Sequence, residues 1–194
     1  MNKPLILGFD PSKCTGWSIY DSAKHLSAIE CGVFEMPKLA KHYYTGDQIA
    51  RQTVELIKRV GRPRISFAVL EEQSLAQIGG SSADGMIYAW ISTTAIVSVL
   101  ANFAIPYGTI APGSWRKMFY GQGFKPPVDN KGKNDWKAAS VAACEREGII
   151  LPSKKTLAHN AAEAVAVAIC WKGAKLHAKR YEEKFISLRM GQAA

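Results

Sequence analysis

Leu5-Ile6-Leu7-Gly8-Phe9-Asp10-Pro11-Ser12-Lys13-Cys14-Thr15-Gly16-Trp17-Ser18-Ile19-Tyr20 is the stretch that decides the fold. A short apolar run ends in Asp10. Pro11 cannot donate to a strand ladder, and Ser12 to Gly16 have turn composition. Trp17 to Tyr20 alternate like a returning strand. The segment reads as a hairpin, strands over 4–10 and 15–21, with a carboxylate at its mouth. Outward from it, a third strand is predicted over 26–35. A helix follows near 45–60, with Ile49, Thr53, Leu56, Ile57 and Val60 on one face. A strand over 64–71, an apolar helix over 82–103 and a strand over 105–110 come next. A three-strand antiparallel meander, then two strands entered through helical crossovers and therefore parallel, makes a mixed five-stranded α/β sheet flanked by helices. No internal repeat or long linker divides the 194 residues, so we read one domain over 1–177 and a basic tail over 178–194.

Two further segments end or interrupt apolar runs with acid. In Ile65-Ser66-Phe67-Ala68-Val69-Leu70-Glu71-Glu72-Gln73, successive side chains alternate faces, so Glu71 and Glu72 cannot both enter one site. In His159-Asn160-Ala161-Ala162-Glu163-Ala164-Val165-Ala166-Val167-Ala168-Ile169-Cys170-Trp171, Glu163 is the one polar side chain after Asn160. Its helix is apolar all round and therefore buried, and a carboxylate there needs compensation. A capping box with Asn160 as N-cap is the local alternative to a metal-directed role. Carboxylates from three distant segments repel one another unless a cation joins them, and hard oxygen donors suit Mg²⁺ or Mn²⁺. Such clusters support hydrolysis of phosphodiesters.

The Gly-Phe-Asp-Pro-Ser…Thr-Gly-Trp opening, the Leu-Glu-Glu-Gln strand end and the His-Asn-Ala-Ala-Glu-Ala-Val-Ala-Val-Ala helix resemble the RuvC-type Holliday junction resolvases of the RNase H-like nuclease superfamily. Ile105-Pro106-Tyr107…Ala111-Pro112-Gly113-Ser114-Trp115-Arg116-Lys117 is similar to that family's fifth strand and following loop. The resemblance spans about residues 4 to 172. It implies an RNase H-like fold and a homodimeric two-metal endonuclease that resolves four-way DNA junctions. It implies Asp10, Glu71 (or Glu72 instead) and Glu163 as catalytic carboxylates. With Asn160 they would be the ligands of Mg²⁺, for which Mn²⁺ would substitute. Glu163 stands where the family usually has Asp, and Asn160 where it has Asp or His. The resemblance also implies a helpful lysine at the start of the next helix, Lys133, with Lys137 one turn on as its competitor. The helix N-terminus with His159 and Asn160 is expected at the attacked phosphate.

Composition agrees with a polyanionic partner: Lys and Arg exceed Asp and Glu for a net charge of +9. Candidate DNA contacts are Lys13, Arg116, Lys117, Lys137, His159 and the Gly121–Lys133 loop with Phe124, Lys125 and Lys131. Cys14, Cys31, Cys144 and Cys170 show no paired spacing, which fits reduced thiols in the cytoplasm. Residues 85–115 carry no charge, yet the hydroxyls within them and the break at Ile105-Pro106 argue against a membrane span. Met86, Trp90, Thr93, Val97 and Leu100 form a helical stripe for the core or for a partner subunit. Two other functions stay open. One is a non-catalytic junction-binding protein with a degraded site. The other is a small actin-like or sugar-kinase-like ATP-binding fold, suggested by the Gly8-x-Asp10 turn and Thr15-Gly16.

Overall fold

The computed structural model describes residues 3–73, 83–173 and 176–177. Its strands are β1 (Leu5–Asp10), β2 (Thr15–Asp21), β3 (Glu30–Phe34), β4 (Ile65–Glu71) and β5 (Tyr107–Ile110). They form one sheet in the order β3-β2-β1-β4-β5. The β1–β2 and β2–β3 pairs are antiparallel, and the β1–β4 and β4–β5 pairs are parallel. This is the mixed sheet expected from the sequence. The helices are α1 (His42–Val60), α2 (Ala83–Asn102), α3 (Pro112–Tyr120), α4 (Trp136–Arg146) and α5 (Lys155–Ile169).

The sheet separates two apolar layers. Leu5, Leu7 and Phe9 point towards α1 and α2, where they meet Ile49, Leu56, Ile57, Ile96 and Leu100. Ile6, Phe67 and Val69 point the other way, with Ala166, Val167 and Ala168 of α5 and with Trp115 of α3. Helix α5 lies across β1, β2, β3 and β4. Its alanines let it sit very close: a Cβ on Gly8 would come 2.4 Å from the Ala164 carbonyl oxygen, and one on Gly16 1.9 Å from that of Asn160. Ser18 Oγ donates to the Ala164 carbonyl at 2.9 Å, so a polar contact fixes this approach.

Four expectations shift. The third strand is shorter, because Leu26–Ala28 form a 3₁₀ turn under a His25 cap. The segment after β5 is a helix, not a loop: Pro112 preorganises its first turn, Trp115 anchors it in the core, and Gly121 ends it at φ +91°. The next helix starts at Trp136 rather than Lys133, since Asp135 caps it by accepting from the Ala138 N–H. Finally, the stripe read on α2 is split. Leu100 is core, whereas Trp90 is 44% exposed; the face packed inward carries Tyr88, Ser92, Ile96 and Val99. Helix α2 is long and apolar enough by length and composition to cross a membrane, but here it packs along α1. The basic tail over 178–194 lies outside the described residues.

Candidate active site

Period-two alternation puts Asp10 on the α5 face of β1, after Ile6 and Gly8. On β4 the alternation is reset by a bulge. Leu5 pairs with Ile65 but Ile6 pairs with Phe67, so two residues of β4 step against one of β1. Ile65 packs with the α1 and α2 layer, whereas Phe67 and Val69 pack with the α5 layer. Glu71 continues the series 67, 69, 71 and so lands on the same face as Asp10. The paired register reaches Phe9 opposite Leu70, which leaves Asp10 and Glu71 side by side at the strand ends. Glu72 takes the other parity, and its backbone N–H donates to the Ile110 carbonyl. Glu163, in the third turn of α5, lies over the same place.

Asp10 and Glu163 are each only 8% exposed. All three carboxyls titrate above their ordinary range. Burial raises Asp10 well up, and the charges of Glu163 and then Glu71 add to it, while Lys137 and Arg116 oppose. Glu163 is pushed up to about 7, first by burial and then by Glu71. Burial also raises Glu71, against a hydrogen bond from Trp115 and the field of Arg116. The three groups therefore share one electrostatic site.

Two side chains hold this site: Trp115, to which the sequence reading gave no role, and Arg116, which it read as a DNA contact. Trp115 Nε1 donates to Glu71 Oε2 at 2.6 Å from a fully buried ring. Arg116 Nη2 lies 3.8 Å from Glu163 Oε1. The Arg116 guanidinium is 4.9 Å from the Trp136 ring centre and 5.2 Å from that of Trp115, and its Nε is buried without a hydrogen-bond partner. The Trp115-Arg116 pair is visible in the sequence, but its direction is set by α3. Among the described residues, no group of three or more His, Cys, Asp or Glu side chains is arranged to hold a metal ion. Glu71 is turned towards Trp115 and Glu163 towards Arg116. The donor set is all carboxylate oxygen, buried and mutually repelling, which fits Mg²⁺ or Mn²⁺ chemically.

The remaining candidates fall into three groups. Lys137 reaches the centre, since its charge opposes the upward shifts of Asp10 and Glu163. Its Nζ lies 3.3 Å from His159 Nε2, and His159 Nδ1 lies 3.1 Å from the Lys155 carbonyl. An ammonium donates only and a carbonyl accepts only, so His159 is the neutral Nδ1–H tautomer. Burial and Lys137 both lower its pKa, in agreement. Asn160 sits in the second turn of α5, not at its N-cap, and its Nδ2 donates to the Cys14 carbonyl at 2.7 Å. The capping box is therefore absent, and neither His159 nor Asn160 is at the helix end: Lys154 is the N-cap, with no side-chain cap bond.

Lys133 is exposed in the loop before α4. There Asp129 Oδ1 accepts from the backbone N–H groups of Lys131 and Lys133 at 2.8 and 2.9 Å. Phe124 stacks on Tyr120 with ring centres 4.5 Å apart and is 41% exposed. Lys117 and Lys125 are exposed, while Lys13 Nζ donates to the Lys38 carbonyl at 2.8 Å beside the Tyr88 ring.

No protein-family model matches the chain, and no curated protein matches it in sequence. Its fold is that of solved RuvC structures. Thermus thermophilus RuvC in complex with a Holliday junction substrate matches with a TM-score of 0.62 at 12% identity, over 90% of this chain and 98% of that one. A second Thermus thermophilus RuvC structure matches with a TM-score of 0.58 at 13% identity, over 89% and 98% of the two chains.

Proposed function

We propose that this chain is a divalent-metal-dependent endonuclease that cuts branched DNA, with four-way junctions as substrate. One observation carries the proposal. Asp10, Glu71 and Glu163 come from three elements distant in sequence and meet on one face of a sheet whose fold is shared with a RuvC bound to a Holliday junction substrate. Burying three carboxylates together destabilises a fold, so such a cluster makes sense as a site that takes up a cation. Asp10, Glu71 and Glu163 would hold Mg²⁺ or Mn²⁺, whereas the Asn160 amide is tied to the Cys14 carbonyl. The ion would supply Lewis-acid activation of water and charge neutralisation at the leaving oxygen.

The chain's own groups supply the rest. Trp115 fixes the Glu71 carboxylate. Arg116, stacked between two indoles, offers a rigid guanidinium to a phosphate that draws it off Glu163. Lys137, aligned by neutral His159, adds a second cation to stabilise charge developing on the phosphate. The exposed lysines of the loop before α4 fit contacts to outlying phosphates. A second copy fits the apolar side chains left outward near the starts of α1 and α2: Tyr43 is 95% exposed, Ile87 45% and Trp90 44%.

The opposing reading is a junction-binding protein without activity, favoured by the Arg116–Glu163 contact that fills the cation's place. Incubation with a synthetic four-way junction in Mg²⁺, Mn²⁺ or EDTA separates the two. Symmetric nicks that need the metal support the nuclease. Binding without nicks in either metal supports the alternative.

A further inference from the structure

A groove of about 720 Å³ runs between α4 and the start of α5. It is the size of a small-ligand site, and the carboxylate centre does not use it. Its floor is apolar, built from Ala138, Val141, Ala142, Leu151 and Pro152, and the acids Asp135 and Glu145 also line it. Its inner end is formed by Lys137, whose charge reaches the carboxylates, and by His159 beside it. Its outer end carries Ser153, Lys155 and Thr156 at the start of α5, where no side chain caps the helix and no acid lies in the first turn. Lys155 precedes His159 by four residues, so the two ends are about 6 Å apart along the helix axis, a little over one turn.

We propose that this groove is a subsite for one unstacked nucleotide of the strand being cut, next to the scissile phosphate. The inference rests on the nuclease reading above and adds to it a place for a single base. The base lies on the apolar floor, where Val141 and Pro152 cover its faces. The phosphate on its far side meets Lys155 and the uncapped N–H groups of α5. The phosphate on its near side meets Lys137 and passes to the carboxylate centre. A lysine towards each end and an apolar middle match phosphate–base–phosphate in order, with Asp135 and Glu145 also on the lining. Near a branch point the unstacking cost is reduced, because stacking and pairing are already disturbed there.

The test uses four-way junctions carrying 2-aminopurine, a base whose emission rises on unstacking, at each position flanking the crossover. The full chain is added in EDTA, so that binding is read without cleavage, and anisotropy of a distal dye reports occupancy. Ala142 is exposed on α4, so Ala142→Trp fills the groove without entering the core. Wild type is expected to raise emission severalfold at one position beside the cut. Ala142→Trp should bind the junction within about twofold of wild type, lose that rise, and in Mg²⁺ cut at least about tenfold more slowly. Lys155→Ala should reduce the rise and lower the salt slope of binding by about one.

Saturating anisotropy with no rise at any position overturns the subsite and leaves the nuclease reading standing. An undiminished rise in Ala142→Trp also overturns it. Absence of junction binding in the anisotropy channel is the distinct failure of the nuclease reading itself, and the subsite falls with it. Binding of free dAMP, lost in Ala142→Trp but with no junction signal, would make the groove a small-molecule site and refute the strand placement.

Discussion

Replacing Glu163 by glutamine should stabilise the metal-free protein at alkaline pH while removing its activity. The magnitude follows from the site. The carboxyl, ordinarily near 4.5, is pushed up to about 7 by burial and by Glu71, net of the opposing Arg116 and Lys137. Because the folded-state pKa lies above the unfolded one, the folded protein holds a proton that the unfolded chain has released between pH 4.5 and 7. That preference is complete below pH 4.5 and is lost as pH rises through 7. At pH 8 ionised Glu163 therefore costs about 3 kcal/mol relative to its neutral form.

Glutamine is neutral, nearly isosteric, and still offers an oxygen to Arg116. The ion pair it gives up, a contact at 3.8 Å, is already counted in that figure, because the raised pKa is net of Arg116. Desolvation wins, and Glu163→Gln should be more stable by about 2–3 kcal/mol at pH 8. The gain should shrink towards zero by pH 4.5. Urea titrations in EDTA at both pH values read this as a midpoint shift of about 1 M at the alkaline end. A variant no more stable than wild type at pH 8, or a gap independent of pH, refutes the electrostatic account of the site.

Asp10→Asn should abolish junction cleavage while affinity in EDTA stays level or tightens; wild-type cutting would remove Asp10 from the centre. Glu71→Gln should lose about 10²-fold or more in rate and Glu72→Gln almost nothing, and the reverse outcome would mean that the β4 bulge does not set the faces as described. Trp115→Phe deletes the donor to Glu71 and keeps most of the buried ring, so urea unfolding at pH 8 should show a loss of about 1–3 kcal/mol, whereas an unchanged midpoint denies that bond any net contribution. Gly16→Ala would drive a methyl into the Asn160 carbonyl and should cost at least about 3 kcal/mol or prevent folding; Gly113→Ala, on α3 with nothing within 4 Å of its Cβ, should leave the melting temperature level or raised.

The sequence by itself determined most of the elements and the segments that carry the acids. Apolar runs ending in Asp10 and Glu71, and an all-apolar helix around Glu163, are patterns within ten or so residues, and local periodicity fixes them wherever the chain is placed. The crossover lengths then settled which strands run parallel. Other features were decided only between elements. The bulge at the start of β4 resets which residues face α5, and it shows only in the pairing with β1, not in the alternation of β4 alone. Arg116 reads as a surface cation until α3 forms and two tryptophans aim it at Glu163, 47 positions away in sequence. Asn160 reads as a cap until α5 begins six residues earlier than that reading places it and its amide instead ties the helix to the β1–β2 turn. The groove beside Lys137 has no local signature, because it is the space left between α4 and α5. Contacts of this kind depend on how closely two elements pack. Here that distance is set by the missing side chains of Gly8 and Gly16 and the alanines of α5, which bring Glu163 down to the strand ends where Asp10 and Glu71 already stand.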